Sequence, residues 1–239
     1  MHDMSSLVLI LVAAWLSGLT AFLGGLAAWL EPSRETRLKR EITHGIIAFG
    51  GGILVASVAF ALTPEGIKDL SPLVLAAVFL LGGGVFCVLD IQLARRKGSV
   101  AQLMAMIMDF VPEAISLGAV FGYNPQLGLL LALMIGIQNL PEGYNSYREL
   151  RGHHFRKSAI LISLFAISFL GPLSASLGYF LLQDRSSITA SIMVFAAGGI
   201  LYLIFQDIAP QARMHRHWTP PLGAVVGFMV GMLCHQWVL

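Results

Sequence analysis

Apolar runs of about 20 residues, the length that crosses a bilayer as a helix, fill most of this chain. Short loops with proline, glycine and charged residues separate these runs. Charged residues make up only 12% of the 239 residues, whereas about a quarter is usual in soluble domains. This composition excludes a water-soluble globule, a disordered chain and a disulfide-stapled secreted module. It indicates an all-α polytopic membrane protein.

The apolar runs predict eight membrane-spanning helices within a single domain that occupies residues 1–239. Eight spans would use roughly 160 residues, which leaves no room for a separate soluble domain. The predicted helices cover residues 5–30, 44–63, 73–93, 100–122, 126–147, 158–182, 188–208 and 220–238.

The distribution of lysine and arginine supports a count of eight and predicts an orientation. Alternate loops hold 13 of the 15 basic residues, and the opposite side holds only Lys68 and Arg185. Basic loops stay in the cytoplasm, so we expect a protein of the cell (inner) membrane with both termini outside. The 13 residues are Arg34, Arg37, Lys39, Arg40, Arg95, Arg96, Lys97, Arg148, Arg151, Arg156, Lys157, Arg213 and Arg216.

Two of the predicted spans share a pattern of glycine and proline. Phe49 precedes three glycines and is followed by Pro64, while Phe195 precedes Ala-Ala-Gly and is followed by Pro210. The two phenylalanines are 146 residues apart, and so are the two prolines. In the predicted topology the two copies of the pattern cross the membrane in opposite directions. Inverted repeats are typical of secondary transporters. Small-residue runs are also common packing faces in membrane helices, which is the alternative interpretation.

The fourth and fifth predicted spans carry carboxylates inside the membrane. A shift of 29 residues aligns Asp109 with Gln138 and Glu113 with Glu142. Within each span the two polar residues are four positions apart and therefore share one helix face. A single Asp at the centre of a span costs about 2.5–3.5 kcal/mol, and neither span contains Lys or Arg. Protonation of the carboxyls or a bound metal cation would offset this cost.

A proline lies directly before each glutamate, at Pro112 and Pro141. Proline cannot donate to the carbonyl one turn earlier, so each is expected to free a carbonyl oxygen inside the membrane. The pattern is typical of an ion site in a broken helix. The alternative is a helix that only bends, with a protonated and hydrogen-bonded glutamate.

With these motifs, the chain resembles the ZIP (Zrt- and Irt-like) family of divalent metal-ion transporters. The stretches beginning at Ala48, Phe79 and Phe195 are similar to the family's second, third and seventh spans, and the Pro-Glu pairs to its fourth and fifth. The resemblance implies eight spans, both termini outside, and an inverted repeat of spans 1–3 and 6–8 around spans 4 and 5. It also implies a transport unit of spans 1, 4, 5 and 6.

The resemblance further implies the identity of the metal ligands. Asp109 takes the place of a family histidine, and Glu113, Gln138 and Glu142 match the other three ligand positions. Asn139 matches a ligand of an adjacent second site and is also a candidate fifth ligand of the principal site. The second site lacks two of its other donors, because Phe110 and Gly171 stand at those positions.

Four further residues are candidates for the ion pathway. By resemblance, Asp90, Gln206 and Asp207 lie near the inner mouth, and Glu65 lies near the outer mouth. Ordinary helix-end charge is the alternative interpretation for each of them.

The donor set bears on which ion is carried. Family resemblance favours Zn²⁺, but zinc usually binds nitrogen or sulfur, and a site of oxygens alone favours harder ions such as Mn²⁺ or Fe²⁺. Cd²⁺ is a further candidate. We expect no prosthetic group and no nucleic-acid partner, and the sequence leaves both monomer and homodimer open.

The leading functional prediction is a secondary transporter of divalent metal ions and not an enzyme. One alternative is an intramembrane hydrolase in which Glu113 and Glu142 activate water. The sequence lacks a His-Glu-x-x-His motif, which argues against that alternative. A second alternative is a metal sensor that does not transport. No phosphate-binding loop is present, which excludes an ATP-driven pump within this chain.

Overall fold

The structure is a computed structural model that describes residues 4–31, 36–95, 101–182, 184–215 and 217–239. These residues fold into helices joined by short turns, without a strand among them. The helices are α1 (Met4–Leu30), α2 (Arg37–Asp69), α3 (Pro72–Arg95), α4 (Ala101–Phe121), α5 (Pro125–Gly152), α6 (Lys157–Leu182), α7 (Ser186–Ala212) and α8 (Leu222–Val238).

Six of these helices, α1 to α4, α6 and α7, are long and apolar enough to cross a membrane. Their outer faces carry exposed apolar side chains such as Leu73 and Leu80, which suit contact with lipid. The prediction of an all-α integral membrane protein is confirmed. Each predicted range overlaps one of the helices, but the crossing of all eight stays a prediction, because α5 is more polar and α8 has only 17 residues. Of the basic residues used for orientation, Arg34, Arg96, Lys97 and Arg216 lie outside the described residues.

Local capping explains where α2 and α5 begin. The Thr36 hydroxyl accepts a hydrogen bond from the Lys39 backbone N–H at 3.1 Å. The Asn124 side chain accepts from the Leu127 N–H at 3.1 Å, and Pro125 occupies the first turn, where its missing N–H has no cost. The cap at Asn124 leaves only a short turn between α4 and α5, so the two helices run antiparallel.

Two helices contain a π-helical turn, and the turns lie at matching places. In α2 the turn covers Val58–Leu62, and the Thr63 N–H donates to the Val58 carbonyl. In α7 it covers Ile204–Ile208, and the Ala209 N–H donates to the Ile204 carbonyl. Each turn ends two residues before a proline, which is Pro64 in α2 and Pro210 in α7. The same shift of 146 residues that relates the sequence patterns also relates the two π turns.

Glycines bring α1 into direct backbone contact with α5. A Cβ added to Gly24 would lie 1.9 Å from the Leu140 carbonyl oxygen, and one added to Gly143 would lie 1.9 Å from the Ala21 carbonyl oxygen. Neither position can accommodate a side chain, so the two helix backbones are in direct contact, as is typical of small-residue packing between membrane helices.

The packing of α6 on α4 repeats this arrangement. A Cβ on Gly178 would lie 1.9 Å from the Ile115 carbonyl oxygen, and one on Gly118 would lie 1.9 Å from the Ala175 carbonyl oxygen. The α1–α5 and α6–α4 pairs therefore meet through equivalent reciprocal glycine contacts.

A second repeated contact joins α2 to α8 and α7 to α3. A Cβ on Gly52 would lie 2.1 Å from the Ala224 carbonyl oxygen, and one on Gly198 would lie 2.1 Å from that of Phe79. Gly198 lies 146 residues after Gly52. The helices thus pack in two sets of matching pairs around the α4–α5 hairpin.

The structure corrects the expectation of broken helices at the Pro-Glu pairs. Both α4 and α5 continue through Pro112 and Pro141 without interruption. The interruption lies instead in α6, where Lys157–Ile167 ends and Leu170–Leu182 begins. Pro172 lies in the first turn after the interruption and cannot donate to the Ser168 carbonyl, which accepts from the Gly171 N–H at 3.3 Å instead.

Candidate metal site

The four residues predicted as principal ligands lie together between α4 and α5, away from water and lipid. The exposed fractions are 3% for Asp109, 0% for Glu113, 1% for Gln138 and 6% for Glu142. Their spacing of four residues on each helix directs them to one face, and the antiparallel hairpin turns those faces toward each other. Their role as ligands stays a prediction.

One hydrogen bond connects the two helices at this cluster. The Gln138 Nε2 donates to the Glu113 Oε2 at 2.5 Å. One turn away on each helix, the Asp109 and Glu142 carboxyls are close electrostatic neighbours. The Ser57 hydroxyl of α2 lies near the Glu113 carboxyl without completing a hydrogen bond.

Several oxygens of the cluster are buried and have no hydrogen-bond partner in the described part of the chain. They are the Glu113 Oε1, the Gln138 Oε1 and both carboxylate oxygens of Glu142. Buried polar atoms are nearly always paired, so such a concentration needs compensation, either by a proton held between carboxyls such as Asp109 and Glu142 or by a bound cation. Carboxylate and amide oxygens are suitable ligands for a hard divalent cation.

The donor atoms are chemically suited to such an ion, but in this structure they do not surround a common coordination point. Within the described ranges, the structure contains no group of three or more His, Cys, Asp or Glu side chains close enough to bind one metal ion. Binding would therefore require the carboxylate side chains of Asp109, Glu113 or Glu142 to change conformation.

The position of the second site is filled by other contacts. Phe110 is buried, and its ring lies against both Gly18 of α1 and Gly171 of α6, close enough that a Cβ on either glycine would lie within 3.0 Å of the ring. Asn139 donates from its Nδ2 to the Ser17 carbonyl of α1 at 3.0 Å. Asn139 therefore joins α5 to α1, and the phenyl ring occupies the space between α1 and α6.

Two of the predicted pathway residues line one cavity of about 180 Å³. Asp90 of α3 and Asp207 of α7 face it, and Met108, the neighbour of Asp109, lies on its wall. Tyr202 donates to the Asp90 Oδ2 at 2.9 Å. The cavity lies near the end of the bundle where α3, α5 and α7 finish, and Met108 places it beside the helix that carries Asp109.

Sequence reasoning missed a third carboxylate in this cavity, that of Glu149 on α5. A signal was present, because Glu149 follows Glu142 by seven residues, and that spacing keeps both on one helix face.

The other two pathway candidates lie elsewhere. Gln206 is exposed and borders a shallow groove with Phe205, outside the cavity of Asp90 and Asp207. Glu65 is half-buried near the end of α2, beside Tyr123 in the α4–α5 turn. Burial, with additional repulsion from Glu65 and Asp69, raises the pKa of Tyr123 to about 12.

Comparison with known proteins shows similarity over part of the chain. No model of a known protein family matches the chain. A zinc transporter, GufA of Myxococcus xanthus, is 31% identical over 112 residues, which cover 46% of this chain. The match spans 44% of the relative's length.

Proposed function

We propose that the protein is a secondary transporter of divalent metal ions of the ZIP type, with its ion site between α4 and α5. The buried oxygens of Glu113, Gln138 and Glu142 that lack a partner carry this proposal. A transiently bound cation supplies the compensating charge, and an ion that must leave again suits a site with incomplete coordination. The partial similarity to a zinc transporter supports metal-ion transport in general.

The proposed architecture is one transport domain of eight spans with an inverted repeat of α1–α3 and α6–α8. The matching π turns at Val58–Leu62 and Ile204–Ile208 support the repeat. The reciprocal glycine contacts support it as well, since α1–α5 corresponds to α6–α4, and α2–α8 corresponds to α7–α3. An axis through the α4–α5 hairpin would relate the two halves.

The same contacts support a division into two units for alternating access. Glycine-mediated pairs join α1 to α5 and α6 to α4, and α4 contacts α5 directly. The remaining helices pair as α2 with α8 and α3 with α7. We infer that one unit, formed by α1, α4, α5 and α6, carries the ion past the other unit, formed by α2, α3, α7 and α8.

The inner route proceeds through the cavity lined by Asp90, Glu149 and Asp207. Three carboxylates at its wall would attract a cation that leaves Asp109. In the proposed orientation this cavity faces the cytoplasm, both termini face outside, and the protein lies in the cell membrane. Glu65 belongs to the outer end of the route, and the position of Gln206 argues for a role outside it.

Zn²⁺ is the first candidate substrate, because the partial relative is a zinc transporter. The oxygen donors favour a broader range that includes Mn²⁺, Fe²⁺ and Cd²⁺. The second site is absent from this proposal, since Phe110 fills its position.

Ion flux into liposomes tests the function. Purified protein is reconstituted, and entry of Zn²⁺, Mn²⁺, Fe²⁺ and Cd²⁺ is compared for the wild type and the double variant Glu113→Ala, Glu142→Ala. Asp184→Ala serves as the control, because it removes an exposed carboxylate in a turn. We expect flux in the wild type and the control, and flux at the level of empty liposomes in the double variant.

Other outcomes would support the alternatives. Folded wild-type protein that gives no flux of any ion contradicts the transporter proposal. Equilibrium metal binding without flux would then favour a sensor. Peptide cleavage by the pure protein, abolished by Glu113→Ala, would favour the hydrolase.

A further inference from the structure

A large apolar groove runs between α2, α7 and α8, apart from the metal site. Its volume is about 1050 Å³, and its floor consists of small residues, among them Ala48, Gly51 and Gly52 of α2. At Gly52 the α2 backbone packs directly against α8, since a Cβ there would lie 2.1 Å from the Ala224 carbonyl oxygen, and this contact closes one side of the groove.

The groove is open to the surroundings of the bundle along α8. Val225, Met229 and Met232 border it with exposed fractions of 63%, 44% and 42%. For an integral membrane protein, such an opening faces lipid tails, and flexible methionine side chains adapt to an irregular apolar occupant.

One end of the groove is basic and aromatic. Arg213 and His215 border it and are exposed, and Trp218, which is 89% exposed, lies beside them. Tryptophan is typical of the membrane–water interface. This end therefore lies at the level of lipid headgroups.

The charge of Arg213 at this end is not neutralised by the nearby acid. Glu41 already pairs with Arg37 at 3.2 Å and with the Nδ1 of His217 at 2.9 Å. Among the described residues, neither Arg213 nor His215 has an ion-pair partner.

We infer that the groove is a binding site for an anionic phospholipid. The acyl chains lie against α2 and α8, and the phosphate lies at Arg213 and His215. Basic pockets between membrane helices bind anionic lipids in this way. The basic side chains contact the headgroup, and the apolar part of the pocket contacts the acyl chains. The inference needs only the membrane location and does not depend on the proposed transport.

Native mass spectrometry of the detergent-released full chain tests the site, with phosphatidylglycerol and phosphatidylcholine of identical acyl chains as probes. Arg213→Gln with His215→Gln removes the two basic side chains at this end, with Arg185→Gln as its control at the other side. Val225→Trp fills the groove, and Val226→Trp is its control, because Val226 is also exposed and does not border the groove.

We expect the wild type and both controls to retain phosphatidylglycerol in preference to phosphatidylcholine. The double variant at the basic end should lose that preference by about fivefold or more. Val225→Trp should lower the bound fraction of both lipids. If Val225→Trp fails to fold, the double variant at the basic end, which changes only exposed residues, decides the question.

Two results would overturn the site. Equal retention of the two lipids, unchanged by Arg213→Gln with His215→Gln, means that the groove does not select anionic lipid. A dimeric mass in the wild type that becomes monomeric in Val225→Trp, without bound lipid, means that a second copy of the chain covers the groove.

Discussion

The Gln138 amide of α5 donates to the Glu113 carboxylate of α4 at 2.5 Å, and this contact sets the register of the hairpin that carries the buried cluster. Because the helices are antiparallel, one turn back from Glu113 on α4 and one turn forward from Gln138 on α5 bring Asp109 next to Glu142. The amide nitrogen thus satisfies one oxygen of Glu113, while the amide oxygen stays free for a cation.

Gln138→Glu should make the stability of the protein depend on a bound ion. The change replaces the donor to Glu113 with a fourth carboxylate, so repulsion should lower the melting temperature in the presence of a chelator. Added Zn²⁺ or Mn²⁺ should restore it, because a ligand that binds only the folded state stabilises by about 2.7 kcal/mol at 100 times its Kd. Thermal unfolding in detergent measures both values. Equal melting temperatures with and without ion would contradict a cation at this site.

Asp109→His should shift ion preference toward zinc. The imidazole introduces a nitrogen donor into a set of oxygens, which zinc prefers more strongly than manganese does. We expect the ratio of zinc to manganese affinity to rise by about tenfold, or about 1.4 kcal/mol. Competition binding of the two ions to purified protein gives this ratio. Asp109→Asn controls for loss of the charge alone, and the same shift in that variant would argue against a nitrogen ligand.

Phe110→Ala should strongly destabilise the fold. The buried ring fills the space between Gly18 and Gly171, so its removal leaves a cavity that costs about 3–5 kcal/mol. Phe205→Ala is the matched control, since Phe205 is 70% exposed and its truncation leaves no internal cavity. Unfolding of both variants under the same denaturing conditions measures the difference. Similar losses in both would show that the ring does not support the α1–α6 contact.

Alanine at either of the equivalent glycines Gly24 and Gly178 should destabilise the protein by similar amounts. In each case the new methyl group would meet a backbone carbonyl at 1.9 Å, and overpacking of this kind costs about 1–3 kcal/mol. Gly84→Ala, at an exposed position of α3 with no atom within 4 Å, should keep or raise stability. Melting temperatures of the three variants test this, and a loss at Gly84 equal to the others would point to a general effect of alanine.

Stability should fall at alkaline pH through Tyr123. Its pKa of about 12 in the folded protein exceeds the ordinary value of 10.0, so the folded state holds the proton more tightly. The resulting stabilisation is complete below about pH 10 and is lost as the pH rises toward about 12. Tyr123→Phe should remove this part of the loss, as measured by the difference in melting temperature between variant and wild type across that range. A difference that does not change with pH would contradict the assignment.

The helical architecture could be predicted because the length and apolarity of a membrane span leave little choice of structure. The face shared by Asp109 and Glu113 also followed from helical periodicity alone. The register between α4 and α5 did not. Helical periodicity gives the polar face of each helix but not which residues of the two helices face each other across the hairpin. The contact between Gln138 and Glu113 in the structure provides that register.

Gln206 illustrates a second limit of sequence reasoning. Its neighbour Asp207 faces the inner cavity, and a step of one residue rotates the side chain by about 100° around a helix. Both residues lie in the π turn of α7, where the ordinary helical period does not apply. The face of each residue therefore could not be assigned from spacing.

The two π turns also have a consequence for the proposed repeat of the two halves. A π turn closes its hydrogen bond over five residues where an α-helical turn closes over four, so each turn holds one extra residue. If the halves arose by duplication, one insertion that was copied accounts for both turns, whereas separate insertions would require two events at the same place. The extra residue would then be older than the duplication, and the ancestral half-length chain already contained it.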